Sequence, residues 1–510
     1  MTNHPTVVLG LDGAHFELLD PWIEAGHLPN IKRAINSGVC ADLESVLPPV
    51  TSPNWKAYAT GKNPGKIGIF WWENIDVENR RVHYPSDRKH TNTEFWEIIA
   101  EDEPVGVLGV PTTYPPKKVD DFLVAGPPDG KNTGYTHPPD LESRLNEEFD
   151  YSVRKHNRLD ADREAAAEEI LELIDSRFTV AKALREEYNI SFLQITTFYI
   201  NSLQHYLWDD EYTLEGWKII DEHLGQFLEN EYNIILMSDH GSNAIETVFH
   251  INSWLESNGY LETDTDIADT FYRLGINKDR LVQLTDKAGL TGFAKRVTPR
   301  TVLQYLPDNS GAVNKEGKTD AVDWEQTDAI ASGQGPIYLT AERGTDQYAR
   351  IREQLQAELE SVLDPNGNSV VDTVYKGEEV YSGSYTDEAP DLVIDQAKGV
   401  HIPGGIGREA IFTEPAEGGW RAENKRQGLF VATGPDFTTG THEQISILDL
   451  APTLLHLHDQ SVPEDMDGTV QRSVFATDSE PANRNISRQT VSKRDRERAR
   501  IRAVARGLNL

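Results

Sequence analysis

Polar side chains with metal-binding chemistry follow two apolar runs of the sequence. Asp12 comes directly after TVVLGL, and Asp239 and His240 follow NIILMS. Each run is typical of a buried strand, and consecutive polar groups at the end of a buried strand indicate a binding or catalytic role. A carboxylate and an imidazole within reach of each other suit Zn²⁺ or Mn²⁺. The pattern therefore favours a divalent metal site, although a strand-end Asp taken alone is also typical of a helix cap.

A second segment, PPVTSPNW, places two hydroxyl groups at the predicted start of a helix. Because proline is favoured in a first helical turn, Pro53 puts Thr51 or Ser52 at a helix N-terminus. The free N–H groups and the positive end of the helix dipole favour a bound anion there. Such a hydroxyl is either a helix cap or, where a metal lowers its pKa, a nucleophile. Asn54 follows one turn on and can donate to a phosphate oxygen.

A third candidate lies in FYINSLQHYLW. Asn201 and His205 are four residues apart, so they share a helix face if a helix begins near 201. An isolated histidine is more often packed in a core than bound to a metal, and both interpretations stay open at this point.

The elements that must position these side chains alternate along the chain between short apolar runs and longer amphipathic segments. This alternation predicts an α/β fold with a doubly wound, mostly parallel sheet covered by helices on both faces. In such sheets the chemistry lies at the carboxyl ends of the strands. The predicted strands are 6–11, 106–111, 122–126, 190–199, 233–239, 336–340, 391–395 and 428–434, and the predicted helices are 163–188, 213–230, 346–363 and 445–458.

Composition divides the chain into a core and two further regions. We assign 1–263 and 326–475 to the catalytic core. The stretch 264–325 is rich in short polar and turn-forming pieces, which predicts an insertion, either a cap over the active-site edge or an excursion far from it. In the tail 476–510, the segment 484–506 holds nine Lys and Arg against two acids. It is either a solvated or self-docking tail or a contact for an acidic partner or RNA.

The overall charge excludes several classes of partner. With 49 Lys and Arg against 83 Asp and Glu, the net charge is −34, so the long-range field repels nucleic acid and anionic membranes. A small phosphorylated substrate must then be captured locally. Dispersed acidic residues with few lysines suggest a halophilic protein whose self-repulsion is screened by salt. The single cysteine, Cys40, excludes a multi-cysteine zinc site.

Location and assembly are less constrained by the sequence. No run of 18 apolar residues and no secretion signal is recognised, so we expect a cytoplasmic protein without a transmembrane segment. The oligomeric state is not predicted.

Taken in order, these segments resemble the alkaline phosphatase superfamily, in particular the type I phosphodiesterase/nucleotide pyrophosphatase family and its archaeal relatives. The resemblance is carried by three regions: LGLDGAHFELLD through VTSPNWKAYATGKNPGK, then MSDHG with FHINSWLESNGYL, and finally GLFVATGPDF with ISILDLAPTLLHL and PEDMDG. It implies an alkaline phosphatase-like fold with two metal ions and a Thr or Ser nucleophile that takes up the phosphoryl group before water releases it.

The resemblance also implies roles for individual residues. Asp12, Asp239 and His240 match the ligands of one metal ion, and Thr51 matches the nucleophile that bridges to the metals. Asn54 matches the residue that holds a non-bridging phosphate oxygen, and His205 matches one ligand of the other metal ion.

The sequence departs from the family pattern at the second metal ion. Asn201 stands where the family has Asp, and Asn424, next to Glu423, is the best match for a family His. Replacing a carboxylate and an imidazole by two neutral amides disfavours tight Zn²⁺ binding. A weakly held Mg²⁺ or Ca²⁺ on Asn201, Glu423 and Asn424 is one substitute. The other substitute for the second metal ion is a positively charged side chain, and the candidates are Arg421, Lys425 and Arg426.

The function that these inferences imply is a metal-dependent phosphoesterase acting on a phosphodiester or a nucleotide-like pyrophosphate through Thr51. Zn²⁺ or Mn²⁺ at the first site is the expected cofactor. The alternative is a catalytically weakened family member that binds a phosphorylated ligand or a partner without efficient turnover. Sulfatase chemistry is disfavoured, because Cys40 lies outside the Thr51 segment.

Overall fold

The computed structural model describes residues 4–83, 85–119, 121–263, 321–407, 410–416 and 418–490. Most of the predicted insertion, 264–320, and the last part of the basic tail, 491–510, lie outside the described residues. The first part of that tail docks on the core, because Arg488–Gln489 pairs in parallel with Val462–Pro463. Arg484 also binds Asp459 at 2.9 Å.

A ten-stranded mixed sheet forms the centre of the molecule. Five neighbouring strands run parallel, from Asn233–Met237 through Thr6–Leu11 to Phe122–Val124. Strand Gln427–Thr433 lies antiparallel to both of its neighbours. The order across the sheet is Gly440–Thr441, Val39–Glu44, Gln427–Thr433, Asn233–Met237, Thr6–Leu11, Phe192–Thr197, Val105–Leu108, Phe122–Val124 and Thr136–His137, with Ile445–Ser446 also paired to Val39–Glu44.

Strand Thr6–Leu11 lies between two parallel partners and is buried along its whole length. Its Val8 faces Gln194 on one side and Ile235 on the other. A strand covered on both faces needs a continuous apolar run, which TVVLGL provides. This position brings the carboxyl ends of the first strand and of Asn233–Met237 together at one edge.

Helices cover the sheet and match the sequence prediction closely. The longest, Arg163–Tyr188, begins at Asp162, whose side chain accepts from the Ala165 N–H, and ends at Asn189 in the left-handed conformation. The helices are Phe16–Glu24, Pro29–Ser37, Thr51–Thr60, Pro64–Ile67, Phe95–Ile99, Leu141–Phe149, Arg163–Tyr188, Tyr199–Tyr206, Glu211–Phe227, Ile251–Ser257, Asp346–Glu360, Gly377–Val380, Leu450–Leu457 and Glu480–Asn483. All four predicted helices are present, and the α/β class is confirmed. The segment predicted as helix from 445 begins as a strand and a 3₁₀ turn before Leu450.

A separate antiparallel sheet holds two of the predicted strands. It consists, in order, of Ala329–Ala331, Pro336–Leu339, Leu392–Gln396 and Val371–Lys376. Its side chains form a second apolar cluster. The predicted strands 336–340 and 391–395 therefore exist, but they do not extend the central sheet.

Small ribbons connect the two sheets near the carboxyl edge of the central one. Gly241–Ala244 pairs antiparallel with Ala422–Lys425. Thr247–Phe249 pairs with Val400–His401 and with Phe412–Thr413. Two further ribbons are Asn74–Asp76 with Arg81–His83 and Val462–Pro463 with Arg488–Gln489. Among the described residues, no helix is long and apolar enough to cross a membrane.

Buried charges fix the helix Thr51–Thr60 in place. Lys56 Nζ lies 2.5 Å from Glu94 Oε1, and both side chains are 1% exposed. Lys117 Nζ lies 3.5 Å from the other Glu94 oxygen and 2.7 Å from Glu97 Oε2. Removing one partner of a buried ion pair leaves an uncompensated charge, which costs far more than breaking an exposed pair.

Glu94→Gln should lower the free energy of unfolding by about 3 kcal/mol, because it leaves two buried lysines short of a counter-charge. The matched control is Glu187→Gln, which removes the charge of the partly exposed pair between Arg144 and Glu187 and should cost less than about 1 kcal/mol. Denaturant unfolding of both variants measures the difference. Equal losses would contradict the role given to Glu94.

Candidate metal centre

Three predicted ligands converge at the carboxyl edge of the central sheet. Asp12 follows strand Thr6–Leu11, and Asp239 and His240 follow the adjacent strand Asn233–Met237. His240 Nε2 lies 3.6 Å from Asp12 Oδ1 and 3.3 Å from Asp239 Oδ2. All three side chains are 0% exposed, and their ligand atoms lie within 4.8 Å of one another.

The hydrogen bonds leave these atoms available to a cation. His240 Nδ1 lies 2.9 Å from the Gly241 carbonyl, which can only accept, so Nδ1 carries the proton and Nε2 keeps its lone pair. Asp12 Oδ1 and Asp239 Oδ2 are buried and have no hydrogen-bond partner among the described residues. Two orphaned carboxylate oxygens and one imidazole nitrogen fit a divalent ion such as Zn²⁺ or Mn²⁺.

The pKa shifts of the three side chains also indicate a cation site. Burial, with the neighbouring Asp239 charge, raises the pKa of Asp12 well above its usual range. Burial raises the pKa of Asp239 to about 8 and lowers the pKa of His240. Two buried carboxylates are costly without a positive charge between them. A bound divalent cation supplies that charge.

The predicted nucleophile lies beside this group. Thr51 is the first residue of the helix Thr51–Thr60, after Val50 in an extended conformation. Its Oγ1 lies 3.3 Å from His240 Nε2, next to the atoms that would bind a cation. The hydroxyl therefore faces the metal ligands, and the free N–H groups of the first helical turn open in the same region.

Two supporting residues were not predicted from the sequence. Trp55 Nε1 donates to Asp12 Oδ2 at 3.0 Å, and Ser45 Oγ donates to the Asp239 carbonyl at 2.7 Å. Trp55 is one helical turn after Thr51, so the spacing of four residues was the available clue. A donor behind a metal ligand fixes its orientation and tunes its affinity.

Asn54 contacts the loop that leads into its helix. Its Oδ1 accepts from the Val46 N–H at 2.8 Å. Its Nδ2 lies 3.0–3.2 Å from the carbonyl oxygens of Val46, Pro48 and Val50. These contacts occupy the amide and hold the loop that ends at Thr51. The predicted contact of Asn54 with a phosphate oxygen stays a prediction.

The weaker predicted ligands form a second group next to the first. Asn201 and His205 lie on the helix Tyr199–Tyr206, as the spacing predicted. His205 Nδ1 donates to the Ala422 carbonyl at 2.7 Å, and its ring stacks on Trp420 with centroids 4.0 Å apart. Asn424 lies opposite Ser242 in the adjoining ribbon, and its buried Oδ1 has no hydrogen-bond partner among the described residues.

Glu423 is held by residues from the second sheet and its connections. Its Oε1 accepts from Gln334 Nε2 and from the Asn424 N–H, each at 2.7 Å, and Oε2 binds His401 Nδ1. Burial would raise the pKa of Glu423, but His401, His205 and the Asn424 N–H together outweigh burial and leave that pKa below its usual range. Gln334 and His401 had no pattern in the sequence that marked them.

Two proposed helper cations are paired away from the ligand group. Lys425 Nζ lies 3.1 Å from Glu17. Arg426 lies 3.0 Å from Glu44 and 3.2 Å from Asp395. Their contacts support the fold at the edge of the ribbon.

The fold is similar to that of a solved hydrolase structure. Phosphonoacetate hydrolase from Sinorhizobium meliloti 1021, in complexes with phosphonoformate and with phosphonoacetate, gives TM-scores of 0.52 and 0.51 at 14% identity. Each comparison covers 88% of this chain and 94% of the hydrolase. Murine ectonucleotide pyrophosphatase/phosphodiesterase 5 gives a TM-score of 0.47 at 14% identity over 92% of this chain and 100% of that one. No curated protein matches the sequence.

The sequence itself matches a family model. The model for type I phosphodiesterase/nucleotide pyrophosphatase covers residues 6–425, which include every predicted site residue. The chain therefore belongs to the type I phosphodiesterase/nucleotide pyrophosphatase family, a family of phosphoric ester hydrolases.

Proposed function

We propose that the protein is a metal-dependent phosphoesterase that hydrolyses a phosphodiester or a nucleotide-like pyrophosphate with Thr51 as nucleophile. The observation that carries the proposal is the 3.3 Å approach of Thr51 Oγ1 to His240 Nε2, at the edge of the buried Asp12, Asp239 and His240 group. Zn²⁺ or Mn²⁺ is the proposed cofactor.

The ligand group has a defined task in this proposal. When bound, the divalent ion lowers the pKa of a nearby hydroxyl and polarises the phosphoryl group. Asp12 and Asp239 balance the charge of the ion, and Trp55 and Ser45 hold these two residues in place.

Thr51 carries the covalent step. Its oxygen forms a bond to phosphorus while the bond from phosphorus to the leaving oxygen breaks. Water then cleaves the phosphothreonine ester and restores the hydroxyl. The N–H groups at the start of the helix Thr51–Thr60 stabilise the negative charge on the phosphoryl oxygens.

A second candidate function is binding of a phosphorylated ligand or partner with little turnover. The amides of Asn201 and Asn424, where the family resemblance implies charged or imidazole ligands, favour it. The two functions differ in whether a phosphoester is consumed. Hydrolysis of bis-nitrophenyl phosphate and nitrophenyl phosphate, with Zn²⁺ or Mn²⁺ added in dilute buffer and in molar KCl, separates them.

Thr51→Ala should reduce kcat for bis-nitrophenyl phosphate by at least about 10³-fold, because the variant lacks the nucleophile. Ser52→Ala is the matched control, since Ser52 is the adjacent hydroxyl on the same helical turn and is also buried. It should keep kcat within about threefold. A Thr51→Ala variant with unreduced turnover would refute the proposed nucleophile.

Trp55→Phe should weaken binding of Zn²⁺ or Mn²⁺ by about 10–100-fold, because it deletes the donor to Asp12 Oδ2 and keeps an aromatic ring in the core. Competition with a chelator measures the affinity. Trp96→Phe is the control, since Trp96 is equally buried and its Nε1 has no hydrogen-bond partner among the described residues. Equal metal affinities in the two variants would contradict the role of Trp55 in supporting the metal ligand Asp12.

The acidic composition adds a proposal about working conditions. A net charge of −34 destabilises a compact chain through self-repulsion unless salt screens it. The screening length falls from about 10 Å at 0.1 M salt to about 3 Å at 1 M. A cytoplasm of high ionic strength is the compartment that this proposal requires.

Raising KCl from 0.1 M to 2 M should therefore raise the thermal unfolding midpoint by about 10 °C or more, which corresponds to about 10 kcal/mol of added stability, since a chain of 510 residues has an unfolding entropy of about 1 kcal/mol/K. Circular dichroism during heating follows the transition. An unchanged midpoint across this range would contradict the proposed salt adaptation.

A further inference from the structure

We infer that this chain binds one divalent ion, at Asp12, Asp239 and His240, and that a hydrogen-bonded amide network centred on Asn201 takes the place of the second ion that the family resemblance implies. The first half rests on the proposed metal dependence. The second half rests on contacts that do not fit a second ion.

Asn201 is built into the site as a hydrogen-bonding residue. Its Oδ1 lies 3.2 Å from Gln204 Nε2 and 3.2 Å from Ser242 Oγ, both of which can donate to it. The oxygen that would have to bind a metal therefore already has two hydrogen-bond partners.

Close packing holds this arrangement. Gly13 has a φ of 73°, and a Cβ on it would lie 2.4 Å from Asn201 Oδ1 and 2.6 Å from Ser242 Oγ. The side chain of Asn201 is 2% exposed. The amide therefore has little room to turn its oxygen towards another partner without moving the chain behind Asp12.

Glu423 is not a substitute for the missing carboxylate. Its two oxygens are engaged by Gln334, the Asn424 N–H and His401, and the side chain is fully buried. Recruiting it to a metal would break these contacts and leave Gln334 and His401 without their partner.

The remaining donors are too few and carry no charge. With Nδ1 bonded to the Ala422 carbonyl, His205 offers Nε2, and Asn424 offers Oδ1, which has no hydrogen-bond partner within the described ranges. One imidazole and one neutral amide cannot compensate a second divalent charge in a buried site. Among the described residues, Asp12, Asp239 and His240 are the one group of three or more His, Cys, Asp and Glu side chains whose ligand atoms converge within 4.8 Å.

Metal content tests the inference on the full-length chain. After saturation with Zn²⁺ and removal of excess ion, elemental analysis should find one ion per chain, and titration calorimetry should fit one site. His205→Ala should leave both results unchanged, with Kd within about threefold. Two ions in the parent chain, one of them lost in His205→Ala, would overturn the inference, and so would the absence of any bound ion.

A gain-of-site variant provides the positive control. Asn201→Asp combined with Asn424→His supplies a carboxylate and an imidazole next to His205, and it should raise the content to two Zn²⁺ per chain. If this variant does not fold, the comparison of the parent with His205→Ala decides the question alone. One bound ion without phosphoester hydrolysis would refute the proposed function and still support the one-ion inference.

Discussion

The site depends on two buried carboxylates placed side by side. Asp12 and Asp239 follow neighbouring parallel strands and are completely buried. Each has one carboxylate oxygen without a hydrogen-bond partner in the part of the chain that the structure describes. Such a pair is unfavourable in its charged form unless a cation lies between its members. The lone pair of His240 Nε2 and the Thr51 hydroxyl face the same point. A divalent ion at this point would balance the charges of the two carboxylates and lie next to the Thr51 hydroxyl.

The same constraint shapes the residues behind the ligands. Trp55 donates to Asp12, and Gly13 allows Asn201 and Ser242 to approach its backbone. Donors around a carboxylate favour its charged form, as a ligand requires. A second carboxylate at 201 would instead add a negative charge next to Asp12. The neutral amide at this position avoids that further buried charge and thus fits a site with one ion.

The sequence marked Asp12 and the pair Asp239–His240 because each follows a recognisable strand, and it marked Thr51 because a proline indicates the first turn of its helix. The grouping of Asp12 with Asp239 and His240 rested on the family resemblance, because a single sequence does not report that the distant strands Thr6–Leu11 and Asn233–Met237 are neighbours. His401 and Gln334 were missed because they reach Glu423 from segments connected to a different sheet, and a single sequence carries no periodicity that reports such long-range contacts. For the same reason, the strands Pro336–Leu339 and Leu392–Gln396 were predicted as strands but not assigned to their antiparallel sheet.

Whether so acidic a protein can bind a phosphate depends on the distances over which its charges repel and attract the substrate. The net charge of −34 repels an anionic substrate at long distance, whereas the proposed ion and the start of the helix Thr51–Thr60 attract it at short distance. Salt shortens the reach of exposed surface charges far more than that of buried ones. High ionic strength therefore suppresses the repulsion before it weakens the attraction inside the cleft. An acidic surface and a phosphate site are compatible for this reason, because a bound divalent ion would offset the charges of Asp12 and Asp239 and the helix N-terminus at Thr51 would add a local positive potential.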